Sequence, residues 1–252
     1  MRKTVLITGA SSGIGLEIAR VFAKRGYDLV LIARRVEPMQ DLAKQFSNLN
    51  IQVIQKDLTI PNACQSIFDQ LEGTHIDILV NNAGFGDRGQ FHTLDKAKQL
   101  SMIDLNVRAL TELTHLFGSK MVKQKTGKIM NVASVVAFMP GPGMATYFAT
   151  KAFVLSLSQA LSQEWGKYGV QVMALCPGNT TSEFQQNSNM QGSKLVKAKN
   201  IPTSAQVAEF AYDRLIKGST IAVHGFSNKL NAFLARVLPR KTYLKIIENI
   251  IK

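Results

Sequence analysis

The chain has 252 residues, 46% of them hydrophobic, and a formal net charge of +13 at pH 7. No apolar run is long enough to span a membrane, and Val5-Leu6-Ile7 is too short for a signal peptide. Cys64 and Cys176 match no metal-binding or redox spacing, and the four histidines are scattered. We therefore expect a cytoplasmic α/β protein with reduced thiols and no metal site.

The positive charge is spread along the chain and is denser at residues 194–199 and 229–252. A charge of this size is typical of partners such as nucleic acids, anionic membrane surfaces or anionic cofactors. No arginine-rich block interleaved with aromatic residues occurs, so we expect no nucleic-acid partner. Most of the basic residues are interpreted as ordinary surface charge.

The first predicted element is a strand at residues 4–7, which a glycine turn at residues 8–15 joins to a helix from Leu16 to Lys24. Glycines at this spacing allow a tight turn and a close approach of the backbone to a ligand. The helix N-terminus suits a pyrophosphate. The alternative is a plain strand-to-helix loop. The residues predicted to bind a dinucleotide here are Gly9, Ser11, Ser12, Gly13, Ile14 and Gly15.

Strands and helices then alternate to residue 223. Further strands are predicted at residues 27–33, 51–55, 76–80, 127–132, 170–175 and 220–223. Helices are predicted after residue 37 and at residues 61–71, 94–103, 106–123, 146–168 and 204–217. This order predicts one α/β domain over residues 1–225, with a Rossmann-type, doubly wound, predominantly parallel seven-stranded sheet and helices on both faces.

Six predicted strands end in residues suited to ligand binding. These strand ends are the glycine turn, Arg34, Asp57, Asn81 to Gly84, Ser134, and Pro177 with Gly178. Ligands of open parallel sheets bind at the carboxyl ends of the strands. The sequence therefore predicts that these residues meet at one edge of the sheet.

In these motifs the sequence resembles the classical short-chain dehydrogenases/reductases, over residues 3 to about 223. The resemblance is carried by the glycine turn, Asn81-Asn82-Ala83-Gly84, Asn106, Ser134, Tyr147, Lys151, Pro177-Gly178 and Thr180. It implies an oxidoreductase that transfers a hydride between a nicotinamide cofactor and a carbonyl or alcohol. A catalytically silent cofactor-binding protein or a membrane-surface-associated relative is the alternative.

Tyr147 and Lys151 are four residues apart, which places them on one helix face. An adjacent ammonium is expected to lower the pKa of the tyrosine from its ordinary value of about 10, giving a general acid/base. The Ser134 hydroxyl suits the oxygen of a substrate. The resemblance implies that Lys151 also holds the nicotinamide ribose and that Asn106 holds a water. The alternatives are a surface tyrosine with a solvated lysine, a turn serine and a helix N-cap.

The resemblance also implies further cofactor contacts. Asp57 and Leu58 are expected near the adenine, and Asn82 near a ribose. The remaining contacts are expected from Ala83, Gly84, Pro177, Gly178 and Thr180.

The residues at the end of the second predicted strand indicate which nicotinamide cofactor the chain binds. NAD-specific sites usually have an acidic residue there, but this chain has Ala33, Arg34 and Arg35. Guanidinium groups suit a 2′-phosphate, so we predict NADP(H) rather than NAD(H). Many NADP-dependent relatives have a basic residue where this chain has Ser12, so Arg34 is expected to be the main contact, with Arg35 beside it.

The substrate side is less defined. Apolar candidates for the pocket wall, each of which is equally typical of the core, are Phe85, Val135, Phe138, Met139, Phe148, Phe184 and Met190. Residues 184–203 are polar and are predicted to form a lid. From the absence of carboxylates near the expected pocket, we expect an uncharged or anionic substrate, and an apolar ketone or aldehyde in particular.

Residues 226–252 are predicted to form a basic amphipathic tail, interrupted by Pro239. We expect its apolar face to pack on the domain or on a partner subunit. The alternative is contact with an anionic membrane surface. By analogy with relatives, which pair through helices corresponding to residues 106–123 and 146–167, a homodimer or homotetramer is expected.

Overall fold

The computed structural model describes residues 2–181 and 201–251. They form a seven-stranded sheet in the order β3-β2-β1-β4-β5-β6-β7, and every pairing in it is parallel. The strands are β1 Thr4–Thr8, β2 Asp28–Ala33, β3 Ile51–Gln55, β4 Ile78–Asn81, β5 Gly127–Val132, β6 Val170–Cys176 and β7 Ile221–Val223. The predicted fold class is therefore confirmed.

Helices cover both faces of the sheet, so the central strands are buried on both sides and are almost continuously apolar. In the described residues the helices are α1 Gly13–Lys24, α2 Glu37–Gln45, α3 Ala63–Gln70, α4 Lys96–Ile103, α5 Leu110–Gln124, α6 Ala145–Gly166, α7 Ser204–Ile216, α8 Phe226–Val237 and α9 Arg240–Ile251. Helices α1, α2 and α7 pack on one face. Helices α3 and α5 pack on the other.

Local sequence explains where several helices begin. The Asp95 carboxylate accepts hydrogen bonds from the backbone N–H groups of Ala97 and Lys98, which caps α4. Thr203 and Gln206 form a reciprocal capping box at the start of α7. Pro38 lies in the first turn of α2, where its missing N–H is not needed.

Helices α4 and α5 were predicted as separate segments, but a π-helical turn at Asp104–Ala109 joins them. This turn contains Asn106, which is 1% exposed. The interpretation of Asn106 as a helix N-cap is therefore wrong. A π-helical turn widens the helix by one residue and is frequent at functional sites.

The order of the strands reverses beside β1, whose neighbours are β2 and β4. This reversal opens a crevice at the carboxyl ends of β1 and β4, the usual ligand position in such sheets. None of the helices in residues 2–181 and 201–251 is long and apolar enough to cross a membrane.

The last two helices, α8 and α9, turn their inner faces toward the rest of the chain. Tyr243 and Ile247 are buried in a cluster with Met139, Met144 and Phe148. The division into a domain of residues 1–225 and a tail of residues 226–252 remains a prediction.

Candidate active site

A cleft of about 1020 Å³ runs along the carboxyl edge of the sheet. Most residues predicted for the site line it: Gly9, Ser11, Ser12, Gly13, Ile14, Arg34, Arg35, Asp57, Leu58, Asn82, Ala83, Gly84, Ser134, Tyr147, Lys151, Pro177, Gly178 and Thr180. Gly15 and Asn106 do not line the cleft. The volume is at the upper end for small-molecule sites.

The glycine turn is held tightly against the sheet. Gly9 has φ +65° and donates its N–H to Ile32 O at 2.8 Å. A Cβ atom at Gly15 would overlap Gly9 O and the Asn82 amide, so this glycine permits close packing behind the cleft. Helix α1 begins at Gly13, and the Ser12 side chain makes no capping hydrogen bond. The first N–H groups of α1 therefore suit an anionic group in the turn.

Thr8 and Asn82 connect the carboxyl ends of β1 and β4, where the order of the strands reverses. The Thr8 hydroxyl accepts hydrogen bonds from the N–H groups of Asn82 and Ala83 at 3.0 and 3.1 Å. Asn82 Nδ2 donates to Thr8 O at 3.0 Å and to Gly9 O at 3.1 Å. Sequence reasoning placed Thr8 at the start of the glycine turn but assigned it no role in the site. These bonds fix the shape of the turn before any ligand binds.

The end of the cleft that lies beyond β2 and β3 is basic; we call it the far end. Arg34 is largely exposed, and its Nη1 lies 4.0 Å from Asp57 Oδ2. Burial raises the pKa of Asp57, but hydrogen bonds from the Thr59 N–H and hydroxyl, with the nearby Arg34, outweigh this and lower it overall. Gln55 Nε2 donates to Arg34 O at 3.0 Å and fixes the backbone there. The Arg34 side chain thus extends from an anchored backbone.

Tyr147 and Ser134 both line the cleft, and their side chains are hydrogen-bonded to each other. Tyr147, in the first turn of α6, is 8% exposed. Burial raises its pKa to about 12, and a hydrogen bond with Ser134 opposes this only in part. The pKa of Tyr147 is therefore raised overall, not lowered as expected from the neighbouring Lys151, because burial dominates. The phenol stays protonated at neutral pH.

Lys151 lies one helical turn after Tyr147 and is 5% exposed. Its Nζ donates to Val132 O at 2.8 Å and lies 5.9 Å from the centre of the Tyr147 ring. Burial lowers the pKa of Lys151 to about 8. The interpretation of Lys151 as a solvated surface lysine is thus wrong.

Asn106 lies behind the cleft rather than in it. Its Nδ2 donates to Phe85 O at 2.9 Å and to the Thr150 hydroxyl at 3.1 Å. Its Oδ1 accepts from the Phe85 N–H at 3.1 Å. The Thr150 hydroxyl in turn donates to Tyr147 O at 2.7 Å. Asn106 therefore connects the segment after β4 to the turn of α6 that carries Tyr147.

Pro177, Gly178 and Thr180 follow β6 and close the other side of the cleft. Val135 N donates to Pro177 O at 2.9 Å, and the Thr180 hydroxyl donates to Gly178 O at 3.0 Å. A Cβ atom at Gly178 would overlap the side chain of Asn228. Helix α8 thus approaches the predicted nicotinamide end directly.

The apolar wall agrees only in part with the prediction. Phe85, Val135, Met139 and Phe148 line the cleft, whereas Phe138 does not. Phe138 is partly buried between two apolar clusters. Phe184, Met190 and most of the predicted lid at residues 184–203 lie outside the described residues.

Helices α8 and α9, with Leu238 between them, contribute wall residues that sequence reasoning missed. They are Asn228, Asn231, Leu234, Leu238, Tyr243 and Ile247. The Tyr243 hydroxyl donates to Asn231 O at 3.2 Å, which ties the two helices together. The apolar periodicity of the tail indicated a packed face, but it carried no information on what that face covers.

A comparison with known proteins agrees with this geometry. Residues 3–192 match the family model for short chain dehydrogenases. The chain is 34% identical to a short-chain dehydrogenase from Sphingobium yanoikuyae solved in complex with NADPH, with a TM-score of 0.84 over 92% of this chain and 91% of that one. This chain belongs to the short-chain dehydrogenase family and is an oxidoreductase.

Two further relatives differ in their substrates. A bulky-bulky ketone specific alcohol dehydrogenase from Comamonas testosteroni is 34% identical, with a TM-score of 0.80 over 93% of this chain and 92% of that one. Sulfoacetaldehyde reductase 2 from Chromohalobacter salexigens is 35% identical over 189 residues, which cover 73% of this chain and 75% of the relative. Membership of the family therefore does not identify the substrate of this chain.

Proposed function

We propose that this chain is an NADP(H)-dependent carbonyl reductase, or the reverse alcohol dehydrogenase, with Tyr147 as its general acid/base. One observation carries the proposal. The hydrogen-bonded hydroxyls of Ser134 and Tyr147 line the same cleft as the glycine turn and the apolar wall. A carbonyl oxygen in this position accepts hydrogen bonds from both hydroxyls.

The reaction requires a hydride, which a bound nicotinamide would supply to the carbonyl carbon or accept from the carbinol carbon of the alcohol. In the reducing direction, Ser134 orients the carbonyl oxygen and stabilises the charge that develops on it. Tyr147 donates its phenolic proton to the same oxygen. A pKa raised to about 12 keeps that proton in place near neutral pH. In the oxidising direction, Tyr147 first loses its own proton, and the phenolate oxygen then accepts the proton of the substrate hydroxyl.

Lys151 and Asn106 support Tyr147 in different ways. The buried ammonium of Lys151, 5.9 Å from the centre of the Tyr147 ring, offsets part of the cost of the buried phenolate that remains after proton donation. Asn106 holds the α6 turn that carries Tyr147 through Thr150. We therefore assign Lys151 to the chemistry and Asn106 to the positioning of Tyr147.

The residues present fit a dinucleotide. Gly9 needs a positive φ, and any side chain on Gly15 would overlap the turn, so the backbone is shaped to approach a ligand closely. The N–H groups of α1 would hold the pyrophosphate. The Arg34 guanidinium, exposed at the far end, suits a 2′-phosphate. The NADPH complex of the Sphingobium yanoikuyae relative supports NADP(H) over NAD(H).

The substrate proposed is an apolar ketone or aldehyde. The wall beside Tyr147 is built from Met139, Met144, Phe148, Leu234 and Leu238. Lys98 also lines the cleft, but its Nζ lies 2.8 Å from the buried carboxylate of Asp87, so its charge is compensated within the protein. The bulky ketone substrate of the Comamonas testosteroni relative is consistent with such a wall.

A substrate panel tests the proposal. Bulky apolar ketones, small aldehydes and a sulfonated aldehyde are each incubated with NADPH or NADH, and the loss of cofactor absorbance is followed. We expect the highest kcat/KM for an apolar ketone with NADPH. A preference for NADH would overturn the choice of cofactor. NADPH binding without turnover of any substrate would favour the catalytically silent alternative.

A further inference from the structure

Helix α8 has two faces with different surroundings. Its inner face carries the buried Ala232 together with Asn228, Asn231 and Leu234, which line the cleft. Its outer face carries a stripe of large apolar side chains, Phe226, Leu230, Phe233 and Val237, which we call the outer stripe. These residues are 83%, 47%, 59% and 55% exposed, in that order. An apolar face this exposed is typical of an interaction surface.

The outer stripe is continuous. Its members are spaced at i, i+4, i+7 and i+11, so at about 100° per residue they fall within an arc of about 60°. The stripe runs the full length of α8, from its first residue to its last. A single flat surface can therefore contact all four side chains at once.

Basic residues flank the outer stripe. Lys229 and Arg236 are exposed and lie about 40–60° beyond one edge of the stripe. Residues 226–252 contain six lysines and arginines and one glutamate. Large apolar side chains beside lysine and arginine are the pattern of helices that lie in the interface of anionic lipids.

The same charge disfavours a second copy of this chain as the occupant. The whole chain carries +13, and a symmetric contact would place Lys229 and Arg236 against their own equivalents or close to them. An anionic lipid surface, in contrast, attracts each of these basic residues. Charge complementarity therefore favours an anionic lipid surface over a second copy of this chain as the occupant of the outer stripe.

We propose that α8 docks on an anionic lipid surface through the outer stripe, with Lys229 and Arg236 contacting the headgroups. This goes beyond the proposed oxidoreductase activity and does not depend on it. None of the four stripe residues lines the cleft.

Vesicle flotation of the full chain tests the proposal, with vesicles of pure phosphatidylcholine and of phosphatidylcholine mixed with phosphatidylglycerol. We expect binding to the anionic vesicles only. The double variant Phe226→Ser/Phe233→Ser should lower the partition coefficient roughly tenfold or more, because both aromatic side chains enter the lipid interface. Equal binding to neutral and anionic vesicles, or no binding to either, would overturn the proposal.

The matched control is the double variant Ile60→Ser/Phe91→Ser. These residues are 56% and 66% exposed and lie elsewhere on the surface, so their replacement should leave binding unchanged. A loss as large as that of the stripe variant would contradict docking through α8.

Charge is tested separately with Lys229→Gln/Arg236→Gln, compared with Lys24→Gln/Lys167→Gln. Only the first pair should weaken binding to anionic vesicles. The stripe variant Phe226→Ser/Phe233→Ser and the charge variant Lys229→Gln/Arg236→Gln should both keep wild-type turnover of a water-soluble carbonyl, which separates this proposal from the proposed function. If the stripe variant instead converts a dimer to a monomer in light scattering without affecting vesicle binding, the occupant is a second copy and the proposal is wrong.

Discussion

The Asn106 side chain binds both backbone groups of Phe85. Its Oδ1 accepts a hydrogen bond from the Phe85 N–H at 3.1 Å, and its Nδ2 donates to Phe85 O at 2.9 Å. Replacing Asn106 with alanine leaves both groups without these partners. We expect Asn106→Ala to lower the free energy of unfolding by about 2–4 kcal/mol, measured by urea denaturation. Because Asn106 also bonds Thr150 beside Tyr147, kcat should fall as well.

Asn131 provides the matched control. It is fully buried, accepts from Asn81 and donates to Ser158, but it does not line the cleft. Asn131→Ala should lose stability to a similar degree and retain more of its kcat. If the two variants lose kcat equally, the positioning role of Asn106 is refuted.

Lys151 should leave a signature in the pH dependence of stability. Its pKa is about 8 when folded and has an ordinary value of 10.5. Between these values the unfolded state binds more protons, so Lys151 makes stability rise with pH in this window. We expect the free energy of unfolding of the wild type, minus that of Lys151→Met, to increase by about 3 kcal/mol from pH 8 to pH 10.5. A flat difference would show that burial does not lower this pKa.

Replacement of Arg34 should lower kcat/KM for NADPH and not for NADH. In the proposed function its exposed guanidinium binds a 2′-phosphate, which NADH lacks. We expect Arg34→Ala to lower kcat/KM for NADPH roughly tenfold to a hundredfold, the loss of one or two charge-assisted hydrogen bonds. Steady-state kinetics with NADH on the same variant serve as the internal control. An equal loss with both cofactors would mean that Arg34 has another role.

Leu234 should influence substrate size. It lines the cleft from α8, whereas Leu230, one turn earlier, points outward and is 47% exposed. Leu234→Ala removes apolar contact area, so kcat/KM for a bulky ketone should fall about tenfold, with little change for a small aldehyde. Leu230→Ala should change neither value. Equal effects of the two variants would exclude α8 from the substrate wall.

The sequence was sufficient to predict the sheet and the residues at its edge, because buried parallel strands are apolar and their polar ends stand out. The sequence was not sufficient to predict the burial of Tyr147 and Lys151. Their spacing predicts a shared helix face but not what that face packs against. It also missed the π-helical turn around Asn106, since apolar periodicity does not separate it from an ordinary helix. The inner face of α8 was missed because periodicity does not identify a packing partner.

The central claim is that Tyr147 transfers the proton, and Tyr147→Phe tests it most directly. The measurement is NADPH oxidation with the best ketone of the panel, together with NADPH binding by fluorescence. We predict that turnover falls between about a hundredfold and ten-thousandfold while NADPH affinity is unchanged. The exposed Tyr168 gives the control Tyr168→Phe, which should behave as wild type. Turnover by Tyr147→Phe at the wild-type rate would contradict the mechanism.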